Sequence, residues 1–596
     1  MKHTYHQHKT PLGKLLLFTF LFLIFNTHST KGYSQYVWKW GRSVNCLDSG
    51  SHYFSDDWAV ATDKFGHVYA AGITFQPSLS IDTFVYRDSM ANAISFLVKY
   101  DTSGNVIWVK YYSTSVDGIE DLATDSLGNI YLAGSFLTPR VIFGSDTLYN
   151  PPGMYHSDHV ISNFVVKLDS FGNSIWARQL DSTDNMVSLA LDKFGNIYFT
   201  GQYHGSYNHF GAFPLINHDT SGFSTDIYVA KLNNSGSILW VKTMGGNTTI
   251  FGNGFDYANG IAVDAESNVF ITGNYNSPVF NIGTTTFYDT SVQNRIFIAK
   301  YDSSGHFLWA KSPYQATTGI TLMWDNYSNG ICVDANGNAY ITGFFSSNFI
   351  LFGSDTLFNH NEGLSDVFFT KYNPLGNVVW AKLFGGKYDE NGYEIFIDSF
   401  SQNIWLTGAM VSDTVYFGSD TLFGTSAGDD WYLVKCDTNG NVRYLKYNPI
   451  GGEDKTGVAG DNSGNIYICG DYELTPFIIN HDTLCPIYDY TTEIYYFAKF
   501  GPPDPPSEAL LIDKANSTIQ VSIYPNPSRN EFNITTVDNQ FANTSAYLYN
   551  AKWELLQSQQ LSDNKLVFSV VGYPSVVYFC KIINGKEAIV KKVIVE

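Results

Sequence analysis

The chain has 596 residues, enough for more than one domain, and a formal net charge of −20 from 35 Lys and Arg against 55 Asp and Glu. Aromatic residues make up 16% and charged residues only 15%, so cohesion comes from buried rings rather than ion pairs. The acidic balance argues against nucleic acid and anionic membranes as partners.

In chain order, residues 1–34 read as a secretory signal. Lys9 and Lys14 precede an apolar run from Leu15 to Phe25, and the small residues Gly32 and Ser34 suit a cleavage site before Gln35. The run is too short to span a bilayer comfortably. His3, His6 and His8 have metal-like spacing but would leave with the signal.

From residue 35 to 500 two phrases alternate. The first is Asp-x-x-Gly-Asn-Ile-Tyr-x-x-Gly, at 125–134, 192–201 and 461–470, with looser copies at 63–72, 264–273 and 334–343 and one carrying an extra residue at 398–408. The leading Asp residues advance by 62, 67, 72, 70, 64 and 63 positions. A period of roughly 66 is too long for a solenoid repeat and suits a four-stranded propeller blade with long loops.

The second phrase, Lys-x-Asp-x-x-Gly-Asn-x-x-Trp-x-Lys, occurs six times, beginning at Lys99, Lys167, Lys231, Lys300, Lys371 and Lys435, some copies with substitutions. A seventh starts at Phe497-Ala498-Lys499 and breaks off at Gly501-Pro502. Its missing half matches Tyr36-Val37-Trp38-Lys39-Trp40 at the other end of the chain. The fold expected is all-β: a seven-bladed β-propeller closed by the N-terminal strand, which removes open sheet edges. Each phrase reads as a hairpin, with Asp binding backbone at the turn and Gly supplying a positive φ.

The short Asp-x-x-Gly-Asn turns all fall at one end of such a ring. The variable connections fall at the other, where binding chemistry accumulates. Phe143, Phe352 and Phe417 begin copies of Phe-Gly-Ser-Asp-Thr-Leu, read as a hairpin extension. An aromatic- and His-bearing loop holds Tyr203, His204, Tyr207, His209 and Phe210, and another holds Tyr155, His156, Asp158 and His159. Rings with polar tips suit carbohydrate or protein contact, or pack on their own loop.

An Asp precedes each inner strand: Asp57, Asp117, Asp184, Asp256, Asp325, Asp389 and Asp454. Either each binds amides of its own loop, or together they ring the channel mouth and attract a hard cation such as calcium. No other cofactor is indicated.

Catalytic motifs are weak. Gly424-Thr425-Ser426-Ala427-Gly428 matches Gly-x-Ser-x-Gly but precedes a strand where a nucleophile elbow needs a helix. Asp437 to Asn441 lacks the Gly and Glu of a calcium-binding EF loop and reads as a turn. HExxH, a phosphate loop and GxGxxG are absent. Of the six cysteines, Cys332, Cys436 and Cys469 fall in strands and read as buried thiols, and Cys46 and Cys485 share the closing blade, where a bridge is open.

Residues 501–517 form a Pro-rich linker, and 518–596 read as a small immunoglobulin-type β-sandwich. Ile523-Tyr524-Pro525-Asn526-Pro527, then Glu531-Phe532-Asn533-Ile534, and the final Val590-Lys591-Lys592-Val593-Ile594-Val595 resemble the C-terminal sorting domain of the type IX secretion system. Trp553 stands where that pattern usually has Gly, and Ser575-Val576 replaces its Gly before the Tyr578 strand. The resemblance implies export across the outer membrane of Bacteroidota-type bacteria by that machinery, then release or surface attachment. The repeats likewise resemble the seven-bladed propeller repeats of such cargo. The expected function is a non-enzymatic scaffold binding a glycan or surface protein. The alternatives are a polysaccharide hydrolase or lyase using Asp256, Asp325 and Asp389 at the channel mouth, or a purely structural surface protein.

Overall fold

In the computed structural model the described residues run from Tyr36 to Pro502 and from Val521 to Val595. The longer breaks are at 47–58, 151–161, 181–185, 248–253, 317–325, 425–429, 449–456, 485–493, 537–543 and 550–554, with shorter ones elsewhere. They divide into two compact units, Val37–Gly501 and a C-terminal one beginning at Pro502. Every regular element among them is a β-strand.

In the larger unit the two phrases build seven four-stranded antiparallel sheets. The first comprises Ala59–Thr62, Val68–Thr74, Ile94–Tyr100 and Val106–Ser113. The last comprises Gly457–Gly460, Ile466–Tyr472 and Ile494–Gly501, and its fourth strand is Val37–Cys46, from the other end of the unit. That strand pairs antiparallel from Val37↔Gly501 to Val44↔Tyr495, with a bulge between Trp38 and Trp40. The seven first strands pack in chain order, and the seventh packs back on the first, so the sheets close a ring. All seven line one central cavity of about 370 Å³.

The turn chemistry explains the regular end of this ring. In each complete turn the Asp side chain accepts four hydrogen bonds. Asp192 Oδ1 accepts from the amides of Phe194 and Asn196 (2.9 Å each), and Oδ2 accepts from Asn196 Nδ2 (2.8 Å) and the Tyr198 hydroxyl (3.2 Å). Asp125, Asp334 and Asp461 repeat the pattern.

The second phrase joins neighbouring sheets. Its Lys and Trp face each other across a hairpin, as in Lys231↔Trp240, and both donate to the Ser303 carbonyl in the next sheet's outer turn (2.9 and 3.3 Å). The indole then lies flat on that turn's Gly305, where φ is +79° and any Cβ would come within 2.9 Å of the ring. Six junctions share this Trp-on-Gly contact, including the closing one, where Trp40 covers Gly104 and Lys499 donates to the Thr102 carbonyl (3.0 Å). The junction between the sixth and seventh sheets differs, because no turn links Gly501 to Val37. Tyr444, Phe500, Trp38 and Trp405 fill the gap as an edge-to-face cluster, with Lys446 over the Trp38 ring (5.3 Å).

At the opposite end every connection between second and third strands folds as a small hairpin, such as Arg140–Phe143 with Asp146–Tyr149 and Thr414–Phe417 with Asp420–Phe423. Several add to the exposed edge of the preceding sheet: Ser78–Ile81 on Val37–Cys46, Val279–Ile282 on Ile238–Asn247, and Thr414–Phe417 on Val378–Gly385. Edges that would otherwise invite another chain are thereby paired. The Phe-Gly-Ser-Asp-Thr-Leu copies are these hairpins, with Phe143, Phe352 and Phe417 buried beneath them.

The C-terminal unit has a three-stranded sheet (Val521–Tyr524, Glu531–Thr536, Lys565–Ser569) and a four-stranded one (Leu555–Gln560, Thr544–Tyr549, Val577–Asn584, Glu587–Ile594). They share a core in which Phe532, Ile534 and Phe568 meet Leu548, Cys580, Ile582 and Val593. Cys332, Cys436, Cys469 and Cys580 are buried free thiols. Residues 1–34, Cys485 and the stretch Thr425–Gly428 lie outside the described residues.

Candidate functional site

The hairpin end carries one constellation twice. After the hairpin of the third sheet comes Asn217-His218, and after that of the fifth comes Asn359-His360. Each Asn side chain ties the following loop: Asn217 Nδ2 donates to the Ser224 carbonyl (3.0 Å) and Asn359 Nδ2 to that of Leu364 (2.8 Å). That loop turns the His back onto an Asp at the head of the third strand. Asp226 Oδ2 lies 2.6 Å from His218 Nδ1 and accepts from the His218 amide (2.8 Å). Asp366 Oδ2 meets His360 Nδ1 and the His360 amide at 2.7 Å each.

Both carboxylates are buried against glycine: a Cβ at Gly245 or Gly385 would come within 2.1 Å of the facing oxygen. The hydrogen bond that His218 donates to Asp226 raises the His218 pKa against the opposing effect of burial.

A second carboxyl from the next sheet stands behind each pair. Asp256, fully buried, accepts from Ser277 Oγ (2.7 Å) and the Asn276 and Ser277 amides (3.2 Å each). Burial, with a contribution from Asp226, pushes its pKa up to about 7. Glu390 accepts from the Gly386 and Ser412 amides (2.7 and 3.1 Å), and burial pushes it up to about 7, with Asp366 adding to the effect. Burial likewise raises Asp366. Each constellation is thus a loop anchor that holds or releases a proton near neutrality. Among the described residues no group of three His, Cys, Asp or Glu is arranged to hold a metal ion.

The central cavity has its own polar lining. Asp121 accepts from Ser188 Oγ (3.1 Å) and the amides of Leu122 and Leu189 (2.7 Å each), and burial pushes it up to about 6. Glu394 shares that wall. Asn259 and Asn329, bulged out of their strands, donate to the Ser328 and Gly392 carbonyls of the next sheets (3.0 and 2.8 Å) and stitch the inner ring.

Several expected site residues sit elsewhere. Asp256 is turned into the loop at 276–277, where it binds two amides and the Ser277 hydroxyl. Asp389 accepts from the Ser365 amide (2.8 Å) and hydroxyl (3.1 Å). Asp57, Asp117, Asp184, Asp325 and Asp454 lie outside the described residues, as do Tyr155 and His156.

Tyr203 is no surface ring. It is fully buried at the end of its strand, its hydroxyl donating to the Ile216 carbonyl (3.2 Å) and reaching Asp226 (3.4 Å). Phe210 is buried against Phe199 and Tyr228. The segment read as a loop is the hairpin Tyr207–Phe210 with Phe213–Ile216; His204 and His209 are exposed beside and on it. Asp437 bonds the Asn439 and Asn441 amides (2.9 Å each) in a plain turn. His218, His360, Asp226, Asp366, Glu390 and Asp121 escaped the sequence reading. The paired Asn-His and Gly-Gly dipeptides (217–218 with 245–246, 359–360 with 385–386) are the signal that could have found the first five.

The ring is a repeat scaffold, and comparison with known proteins places it beside another of that class. An uncharacterised WD repeat-containing protein of Acanthamoeba polyphaga mimivirus is 28% identical over 499 residues, 70% of this chain and 35% of that relative, so the chain spans about a third of the relative's length. Among solved structures, a protein of unknown function from Dyadobacter fermentans aligns over 78% of this chain and 98% of its own, with 8% identity and a TM-score of 0.34. A europium-containing methanol dehydrogenase aligns over 75% and 86%, with 10% identity and a TM-score of 0.31. Residues 522–596 match the secretion system C-terminal sorting domain. The chain therefore carries a type IX sorting tail, which marks it for secretion and engages the secretion machinery. Among the described residues no helix is long and apolar enough to cross a membrane.

Proposed function

We propose that residues 35–500 are a seven-bladed β-propeller, followed by an immunoglobulin-type sorting domain, and that the propeller is a non-enzymatic scaffold binding a glycan or surface protein outside the cell. The observation that carries this reading is the division of the ring: a uniform turn end locked by repeated hydrogen bonds, a hairpin end whose connections differ from sheet to sheet, and an export tail on the same chain. Rigid scaffolds with diverse loops at one end favour recognition. The scaffold works without a resident cofactor, and its display is completed by the tail.

The test is binding of the full chain to a glycan array and to surface-protein extracts, repeated with residues 202–225 exchanged for 274–294. Binding lost on the exchange supports the reading. No binding, or binding indifferent to every hairpin exchange, contradicts it. Deleting 518–596 is expected to retain the chain inside the cell.

A further inference from the structure

One junction at the turn end gives its lysine a side-chain amide from the neighbouring outer turn. Elsewhere the residue after the outer-turn Asp or Asn is Thr102, Ser170, Ser303, Pro374 or Thr438, and its backbone carbonyl receives the lysine, the indole or both. Between the second and third sheets that residue is Asn234. Here Lys167 gives its ammonium to Asn234 Oδ1, which also accepts from the Tyr131 hydroxyl (3.1 Å), while Trp176 Nε1 keeps the carbonyl (3.1 Å). Departures from a repeat's own pattern are where function is expected.

Beside Asn234 lies an open cleft of about 550 Å³, walled by Lys167, Ile175 and Trp176 on one side and Asn233, Asn234 and Ser235 on the other. Rigid turn tips flank it. Phe171 is 72% and Phe194 65% exposed, and on the neighbouring inner turns Leu127 and Phe65 continue the apolar surface at 73% and 60%. Cations accompany the rings: Arg178 lies over Trp176 (5.5 Å) and Lys193 over Phe194 (5.2 Å).

The turn end carries both signs, with many of the chain's bases set beside the turn aspartates. The clip lysines and the cation two residues after each Trp (Lys110, Arg178, Lys242, Lys311, Lys382) all belong to the turn-end hairpins. At the hairpin end the described bases are Arg87, Arg140, Arg295 and Lys387. Charges more than about 8–10 Å away are largely screened at physiological salt.

Exposed rings that stack on a pyranose face, amides and a hydroxyl matched to sugar hydroxyls, and flanking cations make one chemistry. We propose that this cleft is a binding subsite for an acidic polysaccharide, its carboxylate or sulfate groups meeting Arg178 and Lys193 and its ring stacking on Phe171 or Phe194. The site is built from the turn-end residues themselves and does not depend on the loop-end reading.

The test is calorimetric titration of the full chain with polygalacturonate and with chondroitin sulfate, using dextran and polyglutamate as controls. The expected result is salt-sensitive binding to at least one acidic polysaccharide and to neither control. Phe171→Ala/Phe194→Ala, Arg178→Gln and Asn234→Ser (which restores the kind of residue other junctions carry) should each weaken it by about tenfold or more, a loss of about 1.4 kcal/mol. The 202–225 exchange should leave it unchanged, which separates this site from the loop-end one. Failure to bind either polymer, equal binding to polyglutamate, or indifference to all three variants overturns the proposal.

Discussion

Asp125 and Asp192 at the turn end and Asp256 and Glu390 at the hairpin end are acidic groups placed in opposite environments. At the turns, partial burial favours the neutral acid, but the Asn side chains and backbone amides outweigh it, and both Asp125 and Asp192 titrate below the ordinary carboxylate range. At the hairpins burial wins, and Asp256 and Glu390 rise to about 7. The turn carboxylate is a fixed charge saturated by donors. The hairpin carboxyl is raised chiefly by burial, with a second carboxyl beside it adding to the effect. The first arrangement can be copied around a ring from a ten-residue phrase; the second needs two sheets and a loop to meet.

This contrast can be broken from several sides. The largest effect should come from the clip. Trp240→Ala removes a buried indole from Gly305 and is expected to cost about 3–5 kcal/mol, read from chemical denaturation. Asp125→Ala strands two amides, Asn129, Tyr131 and Lys167 in a partly buried turn and should cost about 2–3 kcal/mol by the same measurement.

The pH dependence should have opposite signs at the two ends. Asp256, Glu390 and Asp121 have folded pKa values above the unfolded range of about 4, so the native state binds more protons and stability falls as pH rises from about 4 to about 7. His218, raised by Asp226, acts in the same direction. The turn aspartates, lowered in the fold, contribute stability that is lost as pH drops below about 4. A thermal scan should therefore show a higher Tm near pH 5 than near pH 8, and Asp256→Asn with Glu390→Gln should flatten that slope. The smallest effect is expected from His360→Ala, whose ring is partly exposed: about 1 kcal/mol or less, with a changed pH profile for Asp366.

The sequence displayed the turn end almost residue by residue. Asp, Gly, Asn and Tyr act there within seven positions, and Lys and Trp pair across a single hairpin, so a short repeated phrase contains its own partners. The completion of the last sheet by Val37–Cys46 was legible for the same reason, because half a phrase at each end is visible as text. The hairpin-end anchors were not. His218 meets Asp226 across a hairpin-to-strand turn, and Asp256 meets Ser277 across another connection, so their spacings follow loop lengths that vary between sheets. Tyr203 was misread because a strand-end ring next to His204 looks polar in sequence, whereas the hairpin at 207–216 folds over it. The pairing of Lys167 with the Asn234 side chain is legible only once the lysine is known to reach the neighbouring turn.

The ring's closure by its N-terminal strand is tested most directly by a chain beginning at residue 47, melted alone and with a synthetic peptide of residues 36–46. The account predicts a clearly lowered Tm for the shortened chain and recovery on adding the peptide, since Trp40 and the pairing with Ile494–Gly501 return. A shortened chain that melts like the full one, with or without the peptide, would contradict it.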